Sequence, residues 1–342
     1  MAKERPIILA TRGSALALAQ AHYILEQCRA AFPRLAFEIK IIKTTGDKLQ
    51  SASLVNPKST LPKGLFTKEL EVALVKGQAD LAVHSLKDLP VDLPPGLALG
   101  AVAKRADPRD VLIYRDAKWL AAQASRGQVD EWAPGHGERR GCKPGTGLGE
   151  LPQGYTLATS SARRQAQVRA RRPDLRLVEL RGNVVTRLEK LANRAELDAI
   201  LLAAAGLERL HFRIDGEGRL VGDAVPDGLL AVKLEVHEMV PCPGQAAIGI
   251  EVRAGDERVQ AICQRLNHYN TWQAVTAERA FLKAMGGGCH SAVAAHAEVQ
   301  GNHLHMQAVA EVGGKMQRVE ARHALNEPEA LGRLLAAELS GK

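Results

Sequence analysis

The sequence has few aromatic residues and no long apolar segment. Phenylalanine, tyrosine and tryptophan together make up 4% of the 342 residues. The longest uncharged apolar run, AILLAAAGL at 199–207, is too short to span a bilayer, and residues 1–12 lack the apolar segment of a signal peptide. The five cysteines lie about twenty residues or more apart, which matches neither a disulfide framework nor a CxxC metal site. We therefore expect a protein of the reducing cytoplasm.

Positive charge is what the sequence has in excess. The net charge of +8 at pH 7 predicts an anionic partner, which on charge alone could be nucleic acid, an acidic membrane surface or a small polycarboxylate or phosphate. Proteins that bind single-stranded nucleic acids stack the bases on aromatic side chains, and no lysine or arginine run is interleaved with aromatics here. We expect no nucleic acid and no membrane as partners, and a small anionic ligand instead.

A strand–turn–helix pattern occurs twice. At 6–32 a short apolar strand is followed by Ser14 and then by apolar residues at helical spacing, and 155–172 repeats the pattern around another Leu-Ala-Thr and serine. A second pair of segments, 77–90 and 196–210, places an aspartate before a buried-type strand. The repeated patterns predict two α/β domains of similar plan, with parallel strands buried on both faces.

The order of the predicted elements indicates three domains. Domain 1 would comprise 1–104 and 247–265, and domain 2 would comprise 105–246. Residues 266–342 contain a helix, three alternating strands and a closing helix, which predict a small α+β domain 3.

One segment of domain 2 shows little periodicity. Residues 115–153 are rich in glycine and charge, and we interpret them as an exposed excursion in which Cys142 is a surface thiol. The GTGLG at 145–149 resembles a dinucleotide fingerprint, but the strand before it and the helix after it are missing from the pattern. We assign it no nucleotide.

Polar residues follow several of the predicted strands, where α/β sheets bind their ligands. The strand in VHSLKDLP (83–90) ends in Lys87 and Asp88, a pair that in isolation would indicate only a solvated loop. Arg163 and Arg164 open a helix, where the helix dipole disfavours cations. Because arginines bind carboxylates through paired hydrogen bonds, we interpret the arginines as ligand-binding and Asp88 as a carboxylate in a basic cleft.

A single cysteine stands in an unusual setting. The segment MGGGCHSAV at 285–293 places Cys289 directly behind three glycines, between a helical and a strand-like run. Glycines allow positive φ angles and leave space beside the backbone, so we expect the thiol to be presented on a loop rather than packed.

Eight segments of the chain resemble the porphobilinogen deaminase family, in the family's order and with its approximate spacing. They are LATRGSALALAQA, KGLFTKELEVALVKGQADLAVHSLKDLP, DPRDVLIY, TSSARRQAQVRARRPDL, LRGNVVTRLEKL, DAILLAAAGLERL, TAERAFLKAMGGGC and AHAEV. The resemblance implies an α/β fold of two periplasmic-binding-protein-like (type II) domains with a cleft between them, plus a small α+β C-terminal domain. It also implies a monomer that joins four porphobilinogen units to hydroxymethylbilane, with release of ammonia, in heme and porphyrin biosynthesis.

The resemblance further implies roles for individual residues, and no metal. Cys289 would carry a dipyrromethane cofactor through a thioether, and Asp88 would be catalytic besides contacting the cofactor. Other residues would bind the cofactor: Ser85, Lys87, Thr159, Ser160, Ser161, Arg163, Arg164, Arg181 and Gly182. A third set would bind the substrate: Arg12, Ser14, Gln20, Lys63, Arg187, Arg209 and Gln245.

The chain departs from the family pattern in three places. His290-Ser291-Ala292 replaces Gln-Val-Pro-like residues after the cysteine, Ala246 replaces the second glycine of a Gly-Gln-Gly, and the 115–153 segment is longer than usual. A different function stays open on the residues alone, since a two-domain receptor for a polycarboxylate anion would share the plan without doing chemistry. Such a receptor would need no presented thiol, so the state of Cys289 distinguishes the two.

Overall fold

The computed structural model describes residues 5–45, 66–125, 139–286 and 292–341. Cα packing divides the chain into two units. The first comprises Met1–Asp107, Cys242–Ala310 and Gln317–Lys342, and the second comprises Pro108–Pro241 and Glu311–Met316. The boundaries expected at 104/105, 246/247 and 265/266 stay a prediction.

The elements of the described ranges alternate between strands and helices through most of the chain. In chain order they are β1 (Ile7–Thr11), α1 (Ala15–Ala31), β2 (Phe37–Ile41), α2 (Lys68–Val75), β3 (Leu81–Ser85), β4 (Leu97–Val102), β5 (Asp110–Arg115), α3 (Ala117–Ser125), β6 (Thr156–Ala158), α4 (Ala162–Arg171), β7 (Arg176–Val178), α5 (Val184–Asn193), β8 (Ala199–Ala203), α6 (Ala204–Arg209), β9 (Arg213–Ile214), β10 (Leu220–Val221), β11 (Leu229–Leu234), β12 (Ile248–Arg253), α7 (Glu257–Leu266), α8 (Tyr269–Ala284), β13 (Val293–Gln300), β14 (His303–Val312), β15 (Lys315–Ala324) and α9 (Pro328–Ser340). Short 3-10 helices cover Leu86–Asp88 and Leu148–Glu150.

The first sheet has the order β2-β1-β3-β12-β4. β1 runs parallel to both β2 and β3, while β12 runs antiparallel to β3 and β4. Its central strands are apolar and buried, as the LAV of β3 illustrates, because α1 and α7 cover the sheet with Ile24, Cys28 and Ile262. The carboxyl ends of β1 and β3 therefore meet at one edge.

The second sheet repeats this arrangement with different residues. Its order is β11-β5-β8-β6-β7, in which β6 is parallel to β7 and β8 and β5 is antiparallel to β8 and β11. Each sheet thus contains three adjacent parallel strands and one returning antiparallel strand. The two predicted α/β domains of similar plan are confirmed, and each contains the expected parallel strands. Each sheet also contains an antiparallel strand that the sequence pattern did not predict, β12 in the first and β5 in the second.

The predicted strand–turn–helix pattern, with a serine before the helix, is present in both sheets. Ser14 caps α1 by accepting a hydrogen bond from the backbone N–H of Ala17 at 3.3 Å. Ser161 caps α4 in the same way, accepting from the N–H of Arg164 at 3.5 Å. A serine oxygen at this position satisfies one of the free N–H groups of the first turn, which is why the pattern marks a helix start.

The C-terminal region follows the prediction closely. α8, a three-stranded sheet of order β13-β14-β15 and α9 occur in the expected order. α8 and α9 pack so closely that a side chain at Gly332 would meet the backbone of Phe281 at 2.7 Å. The small α+β C-terminal domain is confirmed. Within the described ranges, no helix combines the length and the apolar character needed to cross a bilayer.

The interpretation of 115–153 as an exposed excursion was wrong for its second half. Cys142, Leu148 and Leu151 belong to the core of the second unit, and Cys142 is a buried thiol rather than a surface one. Arg115 is 1% exposed and donates hydrogen bonds to the carbonyls of Arg140 at 2.9 Å and Leu197 at 2.6 Å. These backbone contacts leave no periodic pattern in the sequence. Residues 126–138 lie outside the described residues.

Candidate active site

The carboxyl edge of the first sheet brings predicted site residues together. β1 ends at Thr11 and β3 ends at Ser85, and because these strands are parallel neighbours, the residues that follow them reach the same edge. A pocket lies there, and five of the predicted residues line it: Arg12, Ser14, Gln20, Ser85 and Asp88. Lys87 lies beside them in the 3-10 helix Leu86–Asp88.

Hydrogen bonds and a ring contact fix several side chains of this pocket. Gln20, which is 2% exposed, donates from Nε2 to Ser85 Oγ at 2.9 Å, and the serine hydroxyl lies 3.2 Å from Gln20 Oε1. The guanidinium carbon of Arg12 lies 4.2 Å from the ring centroid of Phe66. A cation over an aromatic face is attracted by the ring quadrupole. Sequence reasoning missed Phe66, since its role depends on this contact.

Asp88 is the carboxylate of this pocket. It is exposed, and within the described residues no hydrogen bond or ion pair engages it. Asp80, which precedes the same strand, is fully buried and paired with Arg5, Arg253 and Arg258. Asp80 is therefore structural, whereas the Asp88 carboxylate can accept hydrogen bonds from a ligand.

His84 also lines the pocket, and it was not among the predicted site residues. Its Nε2 lies 3.0 Å from Oε2 of Glu251, and the two side chains are 4% and 0% exposed. Glu251 lies on β12, which is antiparallel to β3. A histidine inside VHSLKDLP was visible in the sequence, but its carboxylate partner lies 167 residues away, and no local signal connects them.

Gln245 lies in the segment that returns the chain to the first sheet. Its side chain is buried, and its backbone carbonyl accepts a hydrogen bond from Arg105 Nε at 2.8 Å. Arg105 also binds Glu278 of α8 through both terminal nitrogens, at 2.6 and 3.2 Å. Ala246 has a φ of 69°, a left-handed conformation that glycine adopts more readily than alanine.

The carboxyl edge of the second sheet holds a second set of predicted residues. Thr159 is buried, and its side chain accepts a hydrogen bond from the N–H of Ser161 at 3.2 Å. Ser160 Oγ donates to the carbonyl of Leu180 and accepts from the Leu180 N–H, both at 3.0 Å. These bonds join the loop after β6 to the loop after β7, close to the first turn of α4.

Arg163 and Arg164 have an internal partner that sequence reasoning missed. Their guanidinium groups bind the two oxygens of Asp110, at 2.7 and 2.6 Å, and all three side chains are buried. Burial raises the pKa of Asp110, but the charges and hydrogen bonds of the two arginines lower it more, so its pKa lies well below the usual range. Asp110 is the first residue of β5 and the second aspartate of the motif DPRD. This aspartate was the one feature of the sequence that could have indicated a partner for the two arginines.

Arg163 and Arg164 retain hydrogen-bond donors that Asp110 does not engage. Two cations face one carboxylate, and the Nε–H groups of Arg163 and Arg164 are buried without a hydrogen-bond partner among the described residues. A buried donor left unpaired is costly, and a buried excess of positive charge favours an anion beside it. The pair is thus both a structural ion cluster and a candidate anion site.

The other basic residues of this unit lie on the loops and helices that follow β7 and β8. Arg181 is exposed and pairs with Glu179 at 3.2 Å. Gly182, with a φ of 120°, accepts at its carbonyl from Arg187 Nε at 2.8 Å. Arg209 ends α6, the helix that follows β8 directly. Cys289 and Lys63, the two remaining predicted residues, lie outside the described residues, as does His290.

The side chains present fit a dipyrromethane, which carries pyrrole N–H donors and carboxylate side chains. At the first edge, Asp88 is an acceptor that no other described residue engages. The unpartnered Nε–H groups of Arg163 and Arg164 are donors suited to a carboxylate at the second edge. In the described part of the chain, no group of three or more histidine, cysteine, aspartate or glutamate side chains could hold a metal ion.

Comparison with known proteins gives consistent matches along the chain. Residues 7–261 match the family model "Porphobilinogen deaminase, dipyromethane cofactor binding domain", and residues 272–341 match "Porphobilinogen deaminase, C-terminal domain". The porphobilinogen deaminase of Syntrophomonas wolfei is 40% identical over 98% of this chain and 95% of its own length. That of Moorella thermoacetica is 41% identical over 97% of this chain and 92% of its own.

Among solved structures, the effector-binding domain of BenM is 15% identical, with a TM-score of 0.40 over 77% of this chain and 90% of that domain. The two family models and the full-length relatives establish what the motifs and the fold had indicated: the chain belongs to the porphobilinogen deaminase family.

Proposed function

We propose that this chain deaminates porphobilinogen and joins four units of it into hydroxymethylbilane, with Asp88 as the catalytic group. The observation that carries the assignment is the exposed Asp88 carboxylate, which has no partner among the residues that the structure describes and lines a pocket together with Arg12. A carboxylate in that position stabilises positive charge without first breaking a protein ion pair.

The chemistry of porphobilinogen requires such a group. When ammonia leaves its aminomethyl carbon, the pyrrole becomes a cation, and the charge is shared with the ring N–H. Attack by a second pyrrole on that carbon produces another cation before a proton is lost. Asp88 would accept the ring N–H and stabilise both cations, and a fixed anion that acts mainly on charge developed during reaction lowers the barrier rather than only the dissociation constant.

The basic residues serve binding in this proposal. Each porphobilinogen unit carries an acetate and a propionate, so a growing product accumulates negative charge. In the first unit, Arg12, Ser14 and Lys87 would bind these carboxylates, with Lys63 assigned from the family motif. In the second unit, the Nε–H groups of Arg163 and Arg164 would supply the donors.

The cofactor would be held by a thioether to Cys289, with Asp88 at its pyrrole N–H groups and the arginines at its carboxylates. When bound, a dipyrromethane supplies a covalently held pyrrole carbon to which substrate units are added. We further infer that the chain works as a cytoplasmic monomer, without nucleic acid or membrane. The scarcity of aromatic residues and the lack of a basic–aromatic run in the sequence support the exclusion of single-stranded nucleic acid.

An intact-mass measurement combined with a product assay tests the proposal. Wild-type protein from cells that make porphobilinogen should weigh more than its sequence by one dipyrrole, and it should release hydroxymethylbilane when given porphobilinogen. Cys289→Ser should lose both the extra mass and the activity. Cys242→Ser, a partly exposed cysteine without an assigned role, should keep both.

The competing function, a receptor for a polycarboxylate anion, predicts the opposite result. The wild-type mass would then equal that of the sequence, and porphobilinogen would be bound without release of ammonia. Active enzyme with an unmodified Cys289 would also contradict the proposed tether.

A further inference from the structure

The buried pair of His84 and Glu251 lies against the pocket that contains Asp88. His84 is the fourth residue of β3, and Glu251 is on the adjacent antiparallel strand β12. Nε2 of the histidine lies 3.0 Å from Oε2 of the glutamate, and Glu251 is fully buried. The other glutamate oxygen, Oε1, is buried without a hydrogen-bond partner among the described residues.

This geometry determines which ring nitrogen can act. A buried carboxylate is stable only when it is paired or hydrogen-bonded, and among the described residues the side chain of Glu251 has one partner, the histidine Nε2. Nε2 therefore carries the proton that the carboxylate accepts. Nδ1 makes no hydrogen bond within the described residues and is not among their buried unpartnered atoms, while the ring itself lines the pocket. A neutral imidazole held in this tautomer has a free lone pair on Nδ1.

The proposed reaction produces a proton that needs an acceptor. Porphobilinogen enters with a protonated aminomethyl group, and the C–N bond breaks with both electrons leaving on nitrogen as ammonia. The attacking pyrrole carbon then forms the new C–C bond and loses its hydrogen as a proton. For each unit added, one C–N and one C–H bond break and one C–C bond forms, and ammonia plus a proton are released.

We propose that His84, oriented by Glu251, accepts this proton at Nδ1 and is a second catalytic residue beside Asp88. The inference rests on the proposed function and deepens it. Asp88 stabilises the cations from its exposed position, while His84 takes up the proton, and Glu251 stabilises the resulting imidazolium. A carboxylate that fixes a histidine tautomer and supports its charged form is an established arrangement for general bases. Glu251 contacts the histidine and no substrate, so it is a positioning residue.

The charged groups around the ring favour this role. Asp88 and Glu251 are anions that stabilise an imidazolium, whereas Arg12, across the same pocket, opposes it. The neutral groups Ser14, Gln20 and Ser85 complete the polar lining. A histidine that must be neutral to act predicts that the addition rate falls on the acid side of the pH profile.

Single-turnover kinetics test the proposal. Protein molecules that carry the dipyrromethane on Cys289, here called primed molecules, are mixed with one equivalent of porphobilinogen, and mass spectrometry follows the first addition between pH 5 and 9. His84→Gln should lower the rate at neutral pH by about a hundredfold, the lower range for general acid–base groups, and remove the acid-side fall. Added imidazole should restore part of the rate to His84→Ala. His22→Gln, an exposed histidine on α1, is the matched control.

Glu251→Gln separates positioning from packing, because it keeps the shape and removes the charge. Its first-addition rate should fall by about tenfold or more, the scale on which loss of a carboxylate behind a metal-ligating histidine lowers activity, and the shape of the pH profile should change. A purely structural pair would instead change the melting temperature while leaving the shape of the pH profile and the rate per primed molecule unaltered.

A spectroscopic measurement on the wild type needs no variant and no activity. Nitrogen-15 NMR of histidine-labelled protein at neutral pH should show His84 with its proton on Nε2 and an unprotonated Nδ1. A proton on Nδ1, or normal first-addition kinetics in His84→Gln, overturns the inference. If the wild type makes hydroxymethylbilane and either of these results is found, the proposed function stands and only the role of His84 fails.

Discussion

The two α/β sheets share one strand order and one type of serine-capped helix, yet their aspartates are used in opposite ways. In the first sheet, Asp88 is exposed and has no partner within the described residues. In the second sheet, Asp110 lies at the corresponding edge, opposite Ala203 at the end of β8, but it is fully buried between two arginines.

The difference shows how one backbone plan supports two tasks. A parallel edge with free helix N-termini favours anions in either sheet. At the second edge the buried aspartate fixes two guanidinium groups and leaves their Nε–H donors available, which suits the recognition of carboxylates. At the first edge the aspartate itself stays available, which suits the stabilisation of a cation. The comparison predicts different consequences for the same Asp→Asn substitution.

The largest expected effect is on stability, from Asp110→Asn. Without the charge, two buried cations lose their counter-ion, and the free energy of unfolding should fall by about 3–5 kcal/mol. Urea unfolding measures this, with Asp88→Asn as the matched control, expected within about 0.5 kcal/mol of wild type. Equal losses in the two variants would contradict the contrast between the two edges.

The stability difference between wild type and Asp110→Asn should depend on pH. The pKa of Asp110 is lowered in the folded state, so its contribution to stability is present above the unfolded-state pKa of about 4 and is lost as the pH falls through the folded-state pKa. The difference in the free energy of unfolding between wild type and Asp110→Asn should therefore be constant near neutrality and should become smaller below about pH 4.

The second effect is on rate, from Asp88→Asn. The first addition of porphobilinogen per primed molecule should slow by about a hundredfold or more, the scale for losing one preorganised electrostatic group. Single-turnover mass spectrometry measures it, and urea unfolding of the same sample shows that the fold is intact. Wild-type kinetics in this variant would mean that Asp88 does not carry the chemistry.

A smaller effect tests what the two sheets have in common. Ser14→Ala and Ser161→Ala each remove an N-cap hydrogen bond, and each should lower the free energy of unfolding by about 1 kcal/mol. Ser125→Ala, at the exposed end of α3, should change it by less than about 0.5 kcal/mol. A loss at only one of the two caps would show that the echoed pattern is not equivalent in energy.

The smallest effect concerns how the chain enters β12. Ala246→Gly should raise the free energy of unfolding by less than about 1 kcal/mol, because relief of a left-handed alanine, about 1–2 kcal/mol, is offset by the greater freedom of glycine in the unfolded chain. Thermal unfolding detects the change. Ala247→Gly, the neighbouring buried alanine without a positive φ, should destabilise the protein instead.

Much of the fold was predictable because its signals are local. The serine caps, the 3.6-residue spacing in α1 and the short apolar strands each depend on residues within one turn or one strand of one another. The direction of β5 and β12 and the burial of 139–151 were not predictable. They depend on partners far along the chain, as when Arg115 binds the carbonyl of Leu197.

The candidate site divides in the same way. One motif at the end of a buried strand contains Asp88, Ser85 and Lys87, so these three residues were identifiable from the sequence. The partners Asp110 and Glu251 were not identified, because they lie 53 and 167 residues from the side chains that they bind. The contact between the Arg12 guanidinium and the Phe66 ring was also not predictable from the sequence, since it depends on side-chain orientation.

The sequence by itself determined the two similar α/β sheets, the small C-terminal domain, the membership in the family and the residues that collect at the strand ends, since each follows from short-range patterns or from motifs in a fixed order. Only the tertiary structure decided which of these charged residues form ion pairs with other residues of the protein. Burial and ion pairing depend on groups that are distant in the chain and adjacent in space, and they leave Asp88 available while they engage Asp110.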